Sequence, residues 1–377
     1  MRPPILFSAA PERGRALAER WRGQKPAFRC VLAHTDTCLI PGVSAAGISE
    51  ELRPYTPAAD AEVVLLGAPR CLPRLPSNPL GAAGPSGITR AALALAGIEA
   101  VFDGVGLRVW PETRCERVAD EPGGNIECGH AVPHAGQLLQ TGLGIGRNVA
   151  LTAPYLVLGE SVPGGTTTGL ALLLALGYAA EGRVSGSQVD NAHELKTRVA
   201  RTALEAARLA PGDGRADPIL AASCVGDPMQ PLAAGIALGA AAAGCDVLLA
   251  GGSQMLAVAA LIEALHGPRA LEKIAIGTTR WVVQDPAADV TGLARDIAPD
   301  LPVLAANLDF ANSRHRALRA YEQWLVKEGV GAGGACIAAL LATDEAIEHL
   351  EEAIDATYDD LLGRLSSNPE PRTPNTL

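Results

Sequence analysis

Between Tyr155 and Tyr178 the chain passes through a short apolar run, a turn crowded with glycines and hydroxyls, and an uncharged helix-length stretch. Tyr155 to Leu158 read as a buried strand. Gly159 to Thr168 then form a turn whose single carboxylate is Glu160, and Leu170 to Leu176 open a helix. A strand, a glycine turn and a helix N-terminus in that order make a ready anion site, because unpaired N–H groups and the helix dipole both favour negative charge. Gly164 and Gly165 let the backbone approach a phosphate closely, and Thr166, Thr167 and Thr168 add hydroxyl donors. The turn lacks the Gly-Lys-Ser/Thr of a Walker A loop and is not a GxGxxG fingerprint. A turn merely capped by threonines is the plainer alternative.

The same alternation recurs along the chain. Residues 5–8, 28–33, 60–66 and parts of 99–111 read as strands in the first half, with helices at 12–22, 89–96 and 136–150. In the second half, helices at 191–209, 232–243, 256–265 and around 313–325 alternate with strands at 218–224, 246–250, 273–277 and 303–308. Strands separated by helices of this length predict an α/β fold with a doubly wound, mostly parallel sheet and helices on both faces. A smaller, less regular N-terminal or lid region accompanies it. The proline-rich segment Gly67 to Gly87 reads as a long loop. Residues 1–150 are expected to form this N-terminal α/β region, 151–365 a Rossmann-like core, and 366–377 a disordered tail. Glycine turns near 159–168, 226–231 and 251–255 each follow an expected strand. Turns after parallel strands gather at one sheet edge, so all three are expected to line one crevice.

Composition narrows the function. The chain has 377 residues, 48% hydrophobic but only 3% aromatic, so small aliphatic residues must build the core. A net charge of −10 without a basic cluster argues against a nucleic-acid partner and against an anionic membrane surface. The eight cysteines are scattered without CxxC or Cys/His ligand spacing, as expected of reduced thiols in a cytoplasmic protein. His130 and His134 are interrupted by Pro133, so no metal site is expected. No segment has the length and apolarity of a membrane span or signal peptide.

Several residues carry candidate chemistry. Lys196, between Glu194 and Arg198 on a charged helix, is either a solvated face residue or the cation that a phosphate pocket needs. Asp227, directly after a glycine, either binds a ribose hydroxyl or caps the next helix. Gly251, Gly252, Ser253 and Gln254 form the turn after the 246–250 strand. Glu328 lies in a glycine-rich turn with Gly329 and Gly331, before an apolar helix, and is either a positioned carboxylate or a cap. Glu160 and Glu328 together raise paired acid/base chemistry, glycoside hydrolysis included.

The blocks Gly159-Glu-Ser-Val-Pro-Gly-Gly-Thr-Thr-Thr, Gly226-Asp-Pro-Met-Gln-Pro, Leu249-Ala-Gly-Gly-Ser-Gln-Met, Thr278-Thr-Arg-Trp-Val and Lys327-Glu-Gly-Val-Gly-Ala-Gly-Gly resemble those of the nicotinate-nucleotide:dimethylbenzimidazole phosphoribosyltransferase family, in its archaeal and cyanobacterial-type branch. The resemblance spans roughly residues 30–345. It implies transfer of phosphoribosyl from nicotinate mononucleotide to an aromatic base, without a cofactor, by a homodimer. It implies that Glu328, in a Glu-Gly-x-Gly-Ala motif, is the general base. It also implies that Glu160, Gly164 to Thr167 and Lys196 hold phosphate and ribose, and that the N-terminal region helps enclose the acceptor base. The phosphate turn departs from the Gly-Ile-Gly-Asn-Thr-Thr of well-known bacterial members, and the N-terminal third does not align. Dimethylbenzimidazole, another benzimidazole, adenine and a phenol all stay open as acceptors. A mononucleotide hydrolase and a non-catalytic nucleotide-binding protein are the alternatives.

Overall fold

The computed structural model of the chain describes residues 2–47, 49–72, 74–75 and 80–366. Residues 367–377, expected as a disordered tail, lie outside the described residues, as do Pro73 and 76–79 of the proline-rich loop.

One eight-stranded sheet runs through the molecule. Its strands are β1 (Ile5–Ala9), β2 (Ala27–Ala33), β3 (Ala100–Val105), β4 (Glu116–Ala119), β5 (Tyr155–Ser161), β6 (Asp246–Ala250), β7 (Ile274–Thr279) and β8 (Val303–Ala306). They are ordered β1-β8-β7-β6-β5-β2-β3-β4. Every pair is parallel except the edge pair β1–β8. From β2 the chain moves outward to β3 and β4, then returns to lay β5 on the other side of β2 and continues through β6. The switch point between β2 and β5 is where open α/β sheets bind ligands.

Helices cover both faces, as the alternation predicts. In chain order they are α1 (Pro11–Trp21), α2 (Thr56–Leu66), α3 (Ser86–Ala96), α4 (Ala135–Ala150), α5 (Gly165–Ala175), α6 (His193–Ala207), α7 (Pro218–Val225), α8 (Met229–Ala242), α9 (Ser253–His266), α10 (Arg280–Val283), α11 (Val290–Ile297), α12 (Arg316–Arg319), α13 (Ala332–Thr343) and α14 (Ile347–Ser366). Leu156, Leu158, Val247 and Leu249 join the core that α4 to α9 and α11 build on one face. Their strand neighbours Tyr155, Val157, Leu248 and Ala250 point to the opposite core, made with α1 to α3, α13 and α14. This alternation is the period of two that a sheet buried on both sides imposes. The near-absence of aromatics has its counterpart in close packing. An added Cβ at Gly146 of α4 would lie 2.0 Å from the Ile236 carbonyl oxygen of α8, and one at Gly235 would lie 2.2 Å from the Leu139 oxygen.

Some elements differ from the sequence reading. The stretch 60–66, expected as a strand, belongs to helix α2, and 218–224 is helix α7. Both helices carry proline in their first turn, where its missing N–H costs nothing. Gly67 ends α2 at φ +76°, and Asp217 caps α7 by accepting from the Leu220 N–H at 3.0 Å. Short runs with little or no polar face, α2 because it is buried nearly all round and α7 because its residues are nearly all apolar, show no periodicity that separates helix from strand. The helix expected around 313–325 shrinks to α12 and one 3₁₀ turn at Ala320–Gln323, stopped by Trp324 at φ +62°. Strand β4 lies in a segment where no element was expected, and β5 continues through Glu160 to Ser161.

Candidate active site

A cleft of about 1020 Å³, solvent at its mouth included, opens at the C-terminal edge of the sheet, beside the switch point. It is lined by the end of β5 and the turn into α5, by the turn from β6 into α9, by the segment 185–188, and by 326–330. Ten of the sequence-derived candidates meet there: Glu160, Gly164, Gly165, Thr166, Lys196, Gly252, Ser253, Gln254, Glu328 and Gly329.

The phosphate-suited end forms around the start of α5. Gly164 takes φ +84°, and a Cβ on it would come within 3.0 Å of the Cys38 backbone, so glycine is required twice over. Lys196 is buried, with 2% exposure, although it lies on a charged helix. Its register explains this: Lys196, Val199, Ala200, Ala203 and Leu204 are the buried residues of α6, one stripe at helical spacing. The ammonium donates to the Asn191 carbonyl at 2.6 Å. A Cβ on Gly186 would lie 2.6 Å from Lys196 Nζ and 3.6 Å from Thr166 Oγ1, so cation and hydroxyl converge over that glycine. Burial above all, then the nearby charge of Lys327, lowers the Lys196 ammonium to about 8.

The opposite wall carries acids. Val330 N–H donates to the Glu160 carbonyl at 2.9 Å, and Gly331 packs on Gly159 so closely that a Cβ on Gly159 would sit 3.1 Å from the Gly331 Cα. These contacts bring the end of β5 against the Glu328 turn. Burial, followed by the charges of Glu328 and Asp227, raises the Glu160 carboxyl to about 8. Glu328 keeps partial exposure as a residue, but its carboxyl group is densely surrounded. Burial raises it to about 7, held down in part by the Gly329 and Gly333 N–H groups at 3.2 and 3.1 Å and the Thr278 hydroxyl at 3.1 Å. A carboxyl group poised near neutral pH is suited to accept a proton. Glu160 is the less acidic of the two.

Five candidates do not line the cleft. Asp227 is fully buried; its Oδ1 accepts the Met229 N–H at 3.0 Å, its Oδ2 accepts the Thr168 hydroxyl, and the Gln230 side chain returns to the Asp227 N–H at 3.3 Å. These bonds commit Asp227, together with Thr168, to the start of α8, away from the cleft lining. The 226–231 turn follows a helix, not a strand, which removes it from the crevice expected to hold three turns. Thr167 is buried in α5. Gly251 underlies the Glu160 carboxyl, a Cβ there lying 3.6 Å from Oε1, and Gly331 provides the contact with β5.

Other cleft residues escaped the sequence reading. Asp60, on α2, is fully buried, accepts the Ser161 hydroxyl at 2.9 Å, and is raised to about 7 by burial. The segment Ser185 to Gln188 carries no motif, and Lys327 was legible only as a neighbour of Glu328.

No family model matches the chain. Among curated proteins, a UPF0284 protein of Gloeobacter violaceus is 47% identical over 367 residues, covering 95% of this chain and 94% of its own. A UPF0284 protein of Methanothermobacter thermautotrophicus is 42% identical over 317 residues, covering 83% and 87%. Among solved structures, nicotinate-nucleotide-dimethylbenzimidazole phosphoribosyltransferase from Thermus thermophilus superposes with a TM-score of 0.56 at 20% identity, covering 92% of this chain and 91% of that one. CobT from the same organism gives 0.57 at 21% identity, covering 89% and 84%. The shared fold extends over nearly the whole chain.

Proposed function

The chain belongs to the UPF0284 protein family, and we propose that it transfers phosphoribosyl from nicotinate mononucleotide to a benzimidazole-like base, giving nicotinate and an α-ribazole phosphate for cobamide lower-ligand assembly. The observation that carries this reading is the meeting, in one cleft, of an anion-suited turn with a buried lysine and a carboxyl group poised near pH 7. The fold shared with the Thermus thermophilus enzyme, whose name states this reaction, supports it.

The reaction suits these residues. The 5′-phosphate takes the end at Gly164, Gly165, Thr166 and Lys196, with the α5 dipole behind it. A nitrogen lone pair of the acceptor forms the new bond to C1′ on the face opposite the pyridinium. The old C1′–N bond breaks with its electron pair returning to the nicotinate ring, which leaves as a neutral pyridine and needs no acid. Attack from the opposite face inverts the anomeric carbon, hence the α-riboside. The proton lost by the acceptor N–H goes to Glu328. Positive charge gathering on the ribose favours the ionised form of Glu160, which then stabilises it. No step calls for a metal or a diphosphate.

The test is incubation with nicotinate mononucleotide, with and without 5,6-dimethylbenzimidazole, followed by mass spectrometry. A riboside phosphate formed only with the base is expected, and a panel of benzimidazoles, adenine and phenols then defines the acceptor. Nicotinate released at the same rate without any base identifies a hydrolase. Mononucleotide binding without turnover across the whole panel identifies a binding protein.

A further inference from the structure

The residues around Glu328 adopt a backbone that L-amino acids avoid. From Trp324 to Gly331, φ is positive at Trp324 (62°), Val326 (68°), Lys327 (67°), Gly329 (142°), Val330 (55°) and Gly331 (67°). Two of these are β-branched valines, for which the left-handed region is least tolerable. Such a backbone persists only where its surroundings over-determine it.

Much of that determination runs through one side chain. Lys327 is 1% exposed, and its ammonium spends all three protons: on Asp285 Oδ2 at 2.6 Å, Asn191 Oδ1 at 2.8 Å and the Gln188 carbonyl at 3.0 Å. Asp285 is itself saturated by the Ser185 hydroxyl at 2.7 Å, the Asn191 amide at 3.0 Å and the Ala287 N–H at 3.0 Å. The backbone is tied down alongside: Val326 N–H donates to the Ser187 carbonyl at 3.0 Å, and the Thr279 hydroxyl donates to the Lys327 carbonyl at 2.6 Å. Asn191 also receives Lys196 through its carbonyl. One asparagine therefore joins the lysine at the anion end of the cleft to the lysine that precedes Glu328.

We propose that Lys327 is a positioning residue: its ion pair with Asp285 and its bond to Asn191 hold the left-handed turn that aims Glu328 into the cleft, and couple that turn to the wall carrying Lys196. The inference rests on the reading of Glu328 as the base. Breaking a buried pair leaves an uncompensated charge and endangers the fold, so Lys327→Met alone is a poor test. Lys327→Met combined with Asp285→Asn removes both charges together and leaves the net charge of the site unchanged. The titratable groups around Glu328, namely Glu160 on β5, Tyr321 and Cys336, stay in place. Any change in Glu328 titration then reports the geometry of its turn.

In the double variant we expect wild-type thermal stability and a dissociation constant for nicotinate mononucleotide within about threefold of wild type. We expect kcat to fall at least 30-fold and the acid limb of the pH profile to move upward, as Glu328 loses the N–H and hydroxyl donors that hold its carboxyl down. The carboxyl ¹³C resonance of Glu328, assigned by its loss in Glu328→Gln, reads the same upward shift without turnover. A wild type that transfers nothing therefore overturns the reaction, not the positioning. Unchanged kcat with an unchanged ¹³C titration overturns the positioning role. Mononucleotide affinity weakened more than tenfold with kcat intact makes Lys327 a substrate ligand instead, which equally overturns it.

Discussion

Among the described residues the buried Lys196 ammonium donates to one acceptor, the Asn191 carbonyl, and so has donors to offer a ligand. A hydrogen bond to a charged group contributes about 1.5–3 kcal/mol, which is about 10- to 150-fold in binding. Lys196→Ala should therefore raise the Michaelis constant for nicotinate mononucleotide by that order while kcat changes little. Steady-state kinetics with the acceptor saturating checks this, and an unchanged constant removes Lys196 from the phosphate site. Its burial rules out the solvated-face alternative: the charged neighbours Glu194 and Arg198 mask in the sequence the apolar stripe of Val199, Ala200, Ala203 and Leu204 on which it lies. Asp60 was not legible, because it sits among Ala59, Ala61 and Val63 in a helix whose burial erases its period. For Asp227 the sequence left a cap and a ribose contact open, and the side chain bonds the start of α8.

At the scale of elements, close backbone packing takes the place of large side chains. Helices α4 and α8 meet through Gly142, Gly146, Gly235 and Gly239, each with a partner carbonyl oxygen within 2.3 Å of where its Cβ would stand. Gly146→Ala should force the helices apart and cost about 1–3 kcal/mol, the range for overpacking. Denaturant unfolding should show that loss, with mononucleotide affinity unchanged because neither helix lines the cleft. Gly333 is different. A Cβ there would lie 2.1 Å from the Thr278 carbonyl carbon, and the Gly333 N–H donates to Glu328. Gly333→Ala should therefore depress kcat as well as stability. The strand–turn–helix units at β5–α5 and β6–α9 could be read from the sequence because glycines punctuate them. Helices α2 and α7 could not, since a short run of mostly alanines and aliphatics looks the same in either state. The 185–191 wall was invisible because its role arises from contacts with Asp285 and Lys327, distant in the chain.

Across the whole molecule, the order of the strands decides where chemistry is possible. Laying β5 on the side of β2 away from β3 puts the ends of β5 and β6 at one crevice, and the chain lines it with acids that burial makes weaker. Glu160, Glu328 and Asp60 in the crevice, and the buried Asp227 outside it, are raised to about 8, 7, 7 and 6. Unfolded carboxyl groups titrate near ~4, so the folded state binds more protons across this window. That contribution to stability is fully present below ~4 and is lost as pH rises through the folded values. Thermal stability should fall between pH 6 and pH 8, and Glu160→Gln should flatten the fall; a slope of opposite sign contradicts the burial assigned to these groups. Lys196, lowered to about 8, works the other way only above that value. No helix among the described residues is long and apolar enough to cross a membrane. The homodimer that the family resemblance implies is open to light scattering in solution.

The most direct test follows nicotinate release with a saturating acceptor base, for wild type and Glu328→Gln, from pH 5.5 to 9. For wild type, kcat/KM should rise through about pH 7 as Glu328 ionises, and the variant should be slower by about two to four orders of magnitude, the usual worth of a positioned base. A variant within tenfold of wild type, with the same acid limb, would show that the proton leaves by another route and that Glu328 is not the base.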